Sequence, residues 1–250
     1  MEEAYRWIAR AARAGATLTG LPEHFAFLGD EDERVRQADR ISEVVEDLLP
    51  KWAREFDAYL LGGGYPTRAE GGRVYNRAIL VDPEGRTVAR YDKLHLFDVE
   101  LSERESYRES DRVVAGSDPP PVHEAEGLAR IGLSICYDVR FPELYRGLAA
   151  QGAELLCVPS AFTRPTGRAH WETLLRARAI ENSAYVIAPA QTGRHGTTRE
   201  TYGHAMIVDP WGGILADAGT KPGVILGKID MAKLRDIRTR LPALRHRVLT

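Results

Sequence analysis

The chain contains an internal repeat, which constrains its fold more than any other feature of the sequence. Residues 15–25 (GATLTGLPEHF) are echoed by residues 152–162 (GAELLCVPSAF). Residues 75–85 (YNRAILVDPEG) are echoed in the same way by residues 202–212 (YGHAMIVDPWG). The first pair is typical of a helix end, a buried strand and a proline-marked exit, and the second of a strand that enters a turn at Asp-Pro-x-Gly.

The similar offsets of the two echoes predict that each half contributes one sheet with its own helices. An α/β fold follows, in which two mixed sheets pack face to face inside helical layers as a four-layer α-β-β-α sandwich with a pseudo-twofold repeat. No break in composition separates the halves, and 44% of the residues are hydrophobic. We therefore expect residues 1–250 to form a single domain.

The repeat also predicts that the first half lacks its opening strand. In the second half, the strand predicted at residues 130–136 precedes a helix at residues 142–151, and that helix matches one at residues 3–14. The counterpart of the strand would fall before Met1. Either the start is truncated or another element covers an open sheet edge, because unpaired strand edges are prone to association.

Charge and cysteine content argue against several classes of partner. The 34 basic and 36 acidic residues nearly cancel, which leaves no electrostatic footprint for nucleic acid or anionic membranes. The N-terminus has a charged helical pattern, and no apolar run reaches the roughly 18 residues of a membrane span. With only two cysteines, the chain is expected to be cytoplasmic.

Three residues interrupt the pattern of their surroundings where predicted strands end. Glu23 follows an apolar strand, Lys93 closes another, and Cys136 ends a third. Taken singly, they could be a loop glutamate, a solvated lysine and a buried structural cysteine. Together they supply a thiol, a carboxylate that takes its proton and a cation for an oxyanion, as nucleophilic amide hydrolysis requires. The histidines lack metal-ligand spacing, so we expect no metal site, and the expected thiol chemistry needs no organic cofactor.

The segments around these residues resemble the three signature segments of the nitrilase superfamily of carbon-nitrogen hydrolases. They are LPE at Glu23, YDKLHLF at Lys93 and ICYDVRFPE at Cys136, and the resemblance continues through residues 170–182 and 202–212. It implies the four-layer sandwich and assembly as a homodimer or higher homo-oligomer. It also implies hydrolysis of a small-molecule amide through a cysteine thioester.

The resemblance assigns roles residue by residue. Cys136 would attack, Glu23 would act as general base and then acid, and Lys93 would stabilise the tetrahedral intermediate. Glu109 would hold Lys93 and the substrate, and the backbone N–H of Tyr137 would complete the oxyanion hole. A free thiol is only a few per cent ionised at neutral pH, so the site must either lower its pKa or remove its proton on demand.

Residues 190–195 and 199–204 resemble the branch that includes the deaminated glutathione amidases. This predicts a carboxylate-bearing ω-amide that is cleaved to an acid and ammonia. An arginine should then face the pocket, and the candidates by position are Arg164, Arg168 and Arg194. The alternatives are an ω-amidase acting on α-ketoglutaramate, an N-carbamoyl amino acid hydrolase, and a catalytically silent scaffold of the same fold.

Several other residues have ordinary structural interpretations. Residues 62–64 are three glycines, which are expected to mark a strand exit because they lack the spacing of a phosphate-binding loop. Cys157, inside an apolar strand, is expected to lie in the core. His95 and His170 are expected to be structural supports near the site.

Overall fold

The first sheet of the computed structural model, which describes residues 1–103, 105–196 and 199–248, has four strands. They lie in the order β1 (Leu18–Gly20), β2 (Tyr59–Arg68), β3 (Val74–Val81) and β4 (Thr87–Asp92). Helices α1 (Glu2–Arg13), α2 (Glu31–Arg36) and α3 (Ala38–Phe56) belong to the same half. Only β1 and β2 run parallel, so the sheet is mixed.

The second half begins with two short strands that connect the sheets. They are β5 (Asp98–Ser102) and β6 (Glu105–Arg108), which pair with each other and precede a 3-10 turn at Glu109–Asp111. This segment carries Glu109 towards the end of β4.

The second sheet has six strands in the order β14-β13-β10-β9-β8-β7. They are β7 (Val122–Ala125), β8 (Ala129–Leu133), β9 (Leu155–Cys157), β10 (Tyr185–Ala188), β13 (Met206–Val208) and β14 (Ile214–Asp217). A separate hairpin joins β11 (Thr192–His195) to β12 (Arg199–Tyr202). The helices of this half are α4 (Pro142–Ala150), α5 (Arg164–Asn182) and α6 (Met231–Arg240).

Alternation along the strands places the sheets between two helical layers. Leu60 and Ile79 of the first sheet pack in one apolar cluster with residues of α1 and α3. Their neighbours Leu61 and Leu80 pack in a second cluster, together with residues of the second sheet such as Ile131. A strand buried on both faces needs apolar residues at successive positions, which explains these runs. The predicted α/β fold with two mixed sheets is confirmed.

The strand pairings reproduce the internal repeat. Leu18 of β1 pairs with Tyr59 of β2, and its counterpart Leu155 of β9 pairs with Tyr185 of β10, in both cases parallel. In the second sheet β9 lies between β8 and β10, whereas in the described residues β1 has β2 as its one neighbouring strand. A cavity of about 880 Å³ lies beside β1 and is lined in part by α1 and residues 222–229.

The prediction that residues 62–64 leave a strand is wrong. Strand β2 continues to Arg68, and its register against β3 shifts between Gly62 and Tyr65. The glycines are required by close packing, since a Cβ at Gly63 would lie 2.4 Å from the carbonyl oxygen of Pro22. Across the described ranges, no helix combines the length and the apolar character needed to cross a membrane.

Candidate active site

Cys136 lies at a sharp turn between β8 and α4. It begins a 3-10 turn, Cys136–Arg140, and its backbone has a left-handed φ of 47°. Its N–H donates to the carbonyl oxygen of Pro159 at 2.9 Å. A non-glycine residue adopts this conformation only when its surroundings impose it, and such strain is concentrated at functional sites. The turn places the thiol at the end of the strand, as the sequence predicts.

Asp138 fixes this turn through four hydrogen bonds. Its buried carboxylate accepts from the hydroxyl of Tyr91 (2.7 Å) and the N–H of Ile135 (2.8 Å) on one oxygen. The other oxygen accepts from the N–H of His95 at 3.2 Å and lies 2.8 Å from its Nδ1. The His95 ring also stacks on Phe141. His95 is therefore a structural support, as expected, and Asp138 is a residue that the sequence analysis missed.

Glu23 follows β1 and points to the same place from the first sheet. Its carboxylate is almost fully buried and accepts from the side-chain amide of Asn76 at 2.8 Å. It also accepts from the N–H of Ala161 (2.9 Å) and from Nζ of Lys93 (3.2 Å). Asn76 donates in addition to Glu109 at 3.3 Å. These donors leave the carboxylate no freedom to turn away from the site.

Lys93 lies between two carboxylates. Its Nζ is 3.2 Å from Glu23 and 2.8 Å from Oε2 of Glu109, and its side chain is 2% exposed. The Glu109 carboxylate is itself held in place, since its Oε2 accepts from the N–H of Phe97 at 2.7 Å. A buried ammonium is tolerated only when it is paired in this way.

The pairing keeps both groups charged. Burial alone would raise the pKa of the Glu23 carboxyl, but the positive charge of Lys93, together with smaller contributions from other neighbours, holds the pKa well below its usual range. Burial alone would likewise lower the pKa of Lys93, but Glu109 and Glu23 raise it above its ordinary value. At neutral pH the site therefore contains an ammonium and a carboxylate base side by side.

The thiol of Cys136 lines the same cavity as Glu23 and is not ionised at rest. Burial raises the pKa of Cys136, the negative charge of Glu23 raises it further, and Lys93 offsets this only in part. Of the two routes left open by the sequence, these interactions favour removal of the proton on demand. A carboxylate in the same cavity as the thiol is the group that such a step requires.

His24, next to Glu23, is held as a neutral ring. It is buried with a left-handed φ of 60°, and the guanidinium of Arg34 donates to its Nδ1 at 3.2 Å. Since arginine can only donate, the ring proton is on Nε2, which lies 3.9 Å from Glu23. Burial and the charge of Arg34 lower the pKa of His24 well below its ordinary value.

The four predicted site residues line one cavity of about 440 Å³. Glu23, Lys93, Glu109 and Cys136 are joined there by Tyr137, whose backbone N–H directly follows the nucleophile. The other lining residues include aromatic, basic and acidic side chains, among them Phe97, Tyr107, Phe162, Arg34, Arg108, Arg112, Arg199, Asp30 and Glu31. A cavity of this size accommodates a small molecule.

The three predicted substrate arginines lie outside this cavity lining, so their selection by position requires correction. Arg164, Arg168 and Arg194 are exposed, and Arg164 pairs with Glu200 at 2.7 Å. Strand and helix patterns locate these residues along the chain, but they do not fix the direction of a side chain in a loop or at a helix end. His170 is also exposed, and Arg140 lies 3.3 Å from its Nδ1.

Asn76 could have been found from the repeat. It occupies the position at which the second half has Gly203, and it lies in an otherwise similar segment. A polar side chain where its repeat partner has none is a signal of a function specific to one half.

Within the described ranges, no group of three or more His, Cys, Asp or Glu side chains is placed to hold a metal ion.

Comparison with known proteins decides the family. The sequence model described as carbon-nitrogen hydrolase matches residues 1–239. The chain belongs to the carbon-nitrogen hydrolase family. A deaminated glutathione amidase from Synechocystis sp. is 52% identical over 250 residues, which cover 99% of this chain and 92% of that protein.

Two solved structures of carbon-nitrogen hydrolase relatives share the fold. The NitFhit protein of C. elegans matches with a TM-score of 0.93 and 40% identity, over 99% of this chain and 60% of that one. Nit3 of Saccharomyces cerevisiae is a member of branch 10 of the nitrilase superfamily. It matches with a TM-score of 0.86 and 28% identity, over 99% of this chain and 90% of that one. The predicted nitrilase-superfamily membership is confirmed. This carbon-nitrogen hydrolase acts on amides, and cysteine chemistry is general for its family.

Proposed function

We propose that this enzyme hydrolyses a small carboxylate-bearing ω-amide through a thioester on Cys136. The observation that carries the proposal is the position of Lys93 between Glu23 and Glu109, with Cys136 lining the same cavity. No single residue of the four would suffice. Their convergence supplies a nucleophile, a base and an oxyanion-stabilising cation in one buried place.

The first half-reaction forms the thioester. The thiol proton moves to Glu23 as sulfur bonds to the amide carbon, and the carbonyl electrons move to oxygen. Lys93 and the backbone N–H of Tyr137 stabilise that oxyanion, while Glu109 holds Lys93. The carbon–nitrogen bond then breaks, and Glu23 gives its proton to the leaving nitrogen.

The second half-reaction restores the enzyme. Glu23 takes a proton from water as its oxygen bonds to the thioester carbon. The carbon–sulfur bond breaks, the acid leaves, and Glu23 returns the proton to sulfur. In each half-reaction Glu23 accepts one proton and gives one up, so the site carries the same net charge before and after each one.

The substrate we propose is deaminated glutathione or an amide of its class. The support is the 52% identity with a protein of that activity, together with the cationic side of the cavity. The leaving group would be an amine from such a secondary amide and ammonia from a primary one. α-Ketoglutaramate and N-carbamoyl amino acids are the alternatives, and release of carbon dioxide would identify the latter.

A screen of product release tests this function. Wild-type protein is incubated with deaminated glutathione, short ω-amides, N-carbamoyl amino acids and nitriles, and the acid product is measured. We expect turnover of the ω-amides and none by Cys136→Ala, whereas Cys157→Ala serves as the matched thiol control and keeps its activity. Absence of turnover in every class would contradict the proposal and favour a silent scaffold.

We also propose that the protein is a homodimer or a higher homo-oligomer in the cytosol. An exposed apolar patch supports self-association: Ile180 on α5 lies beside Gly212, near Trp211 and Ile214. Light scattering should give at least twice the mass of one chain. Trp211→Glu should lower that mass, and a wild-type monomer would refute the proposal.

A further inference from the structure

Two guanidinium groups line the active-site cavity with few partners of their own. Arg34 of α2 is 4% exposed, makes no ion pair among the described residues, and gives its one side-chain hydrogen bond to His24. At the start of β12, Nε of Arg199 is buried without a hydrogen-bond partner in the described part of the chain. A buried unpaired donor is costly, and such a group in a native site calls for an explanation.

The nearest carboxylate does not satisfy Arg199. Glu31 is 3.8 Å from Nη1 of Arg199, and it is shared with Arg112 at 3.5 Å. That distance is too long for a charge-assisted hydrogen bond, whose usual length is about 2.7 to 2.9 Å. The guanidinium therefore retains donors that can face an anion in the cavity.

The two arginines also act on each other. Burial lowers the pKa of Arg34, and the positive charge of Arg199 acts in the same direction, against the carboxylates of Glu109 and Glu31. Two like charges that share a partly enclosed cavity are stabilised when an anion joins them. Both side chains line the cavity that contains Cys136.

We propose that Arg199, with Arg34 beside it, binds the distal carboxylate of the substrate and so determines specificity. This inference rests on the proposed ω-amidase function. The substrate's amide carbon would lie at Cys136 and its carboxylate at the arginines. The aromatic side chains of Phe97 and Tyr107 in the same lining suit the methylene groups between them.

The test compares a charged amide with a matched neutral one. Glutaramate carries a distal carboxylate, and in its neutral analogue an isopropyl group replaces that carboxylate. The wild type should prefer glutaramate in kcat/KM, and Arg199→Gln should reduce this preference about 100-fold, the effect of losing a charge-assisted hydrogen bond. Arg199→Lys should retain part of it, because the charge remains.

Arg164→Gln is the control, since Arg164 is an exposed arginine outside the cavity lining. It should keep the wild-type preference. An unchanged preference in Arg199→Gln, or a wild type that does not distinguish the two amides, would overturn the inference.

Binding separates this inference from failure of the proposed function. Calorimetry with Cys136→Ala protein measures the Kd of glutaramate without turnover. Adding Arg199→Gln should raise that Kd about 100-fold. If the wild type turned over no amide but this difference were present, the function would fail and the carboxylate site would stand. Equal binding of the neutral analogue by Cys136→Ala would overturn the carboxylate site itself.

Discussion

At the scale of single residues, the site is organised by charge. Lys93 is the one ammonium between Glu23 and Glu109, and the thiol of Cys136 is neutral beside them. Transfer of the thiol proton to Glu23 leaves the net charge unchanged and places a thiolate near Lys93. Low solvent exposure strengthens each of these interactions, so removal of any one charge is expected to alter the others.

The pKa of Cys136 should therefore respond to Glu23. Since the carboxylate raises the thiol pKa, Glu23→Gln removes a negative charge and should lower that pKa by about one pH unit or more. The rate of iodoacetamide alkylation against pH, with peptide mapping, measures it. Cys157 is the internal control, because burial in the core raises its pKa to about 12 and should keep it unreactive. A midpoint that moves upwards would refute this account.

Single residues also show how far the sequence could predict the site. Glu23, Lys93 and Cys136 were found because each interrupts a strand pattern at its end, and the structure brings them into one cavity. The sequence patterns did not identify the arginines that line the cavity. Arg34 and Arg199 reach it from α2 and from the hairpin β11-β12, and no sequence period specifies how those elements lie against the sheets.

At the scale of elements, the 3-10 turn Cys136–Arg140 depends on Asp138. Four donors converge on this carboxylate from β4, the segment after it and the turn itself. The nucleophile is thus oriented by a contact between the two halves of the chain. The position of the nucleophile therefore depends on how the two halves pack together.

Replacement of Asp138 should affect both stability and rate. Asp138→Asn replaces one carboxylate oxygen with an amide N–H₂, which cannot accept from the donors that face it. We therefore expect a loss of roughly 2 to 4 kcal/mol in the free energy of unfolding. Since small misplacement of a nucleophile is costly, kcat should fall about 100-fold. Urea denaturation and steady-state kinetics measure these effects. Tyr91→Phe removes one of the four donors and should cost less, and equal effects of the two variants would contradict the role.

Close packing constrains Gly64 of strand β2 beside the active site. A Cβ at Gly64 would lie 2.1 Å from Oδ1 of Asn76 and 3.1 Å from Cγ of Glu23. Gly64→Ala should therefore displace the two side chains and lower kcat/KM at least 10-fold. The control is Gly147→Ala in α4, where a Cβ meets no atom within 4 Å, and stability there should rise by up to about 1 kcal/mol. Full activity in Gly64→Ala would show that Asn76 is not needed in this position.

At the scale of the whole molecule, the two halves share one core. The larger apolar cluster contains Leu61 and Leu80 of the first sheet with Ile131 and Leu155 of the second. The repeat made this face-to-face arrangement predictable, because it assigns one sheet to each half. It could not predict that β2 continues past its three glycines, because that depends on contacts with Pro22 and Asn76 from other parts of the chain.

We propose on this basis that residues 1–250 are a single domain. Neither half can bury its inner sheet face alone, so unfolding should be one cooperative transition. Tryptophans lie in both halves, at Trp7 and Trp52 and at Trp171 and Trp211. Fluorescence and far-ultraviolet circular dichroism should therefore give the same midpoint in urea. Two separate transitions would show that the halves are independent domains.

The central claim is that Cys136 carries the acyl group of the amide. The most direct measurement is a rapid acid quench of the enzyme during turnover of glutaramate, followed by intact-mass and peptide analysis. The account predicts an adduct with the mass of the acyl group on Cys136, none on Cys157, and none in Cys136→Ala. Steady turnover by Cys136→Ala, or an adduct on another residue in the wild type, would contradict it.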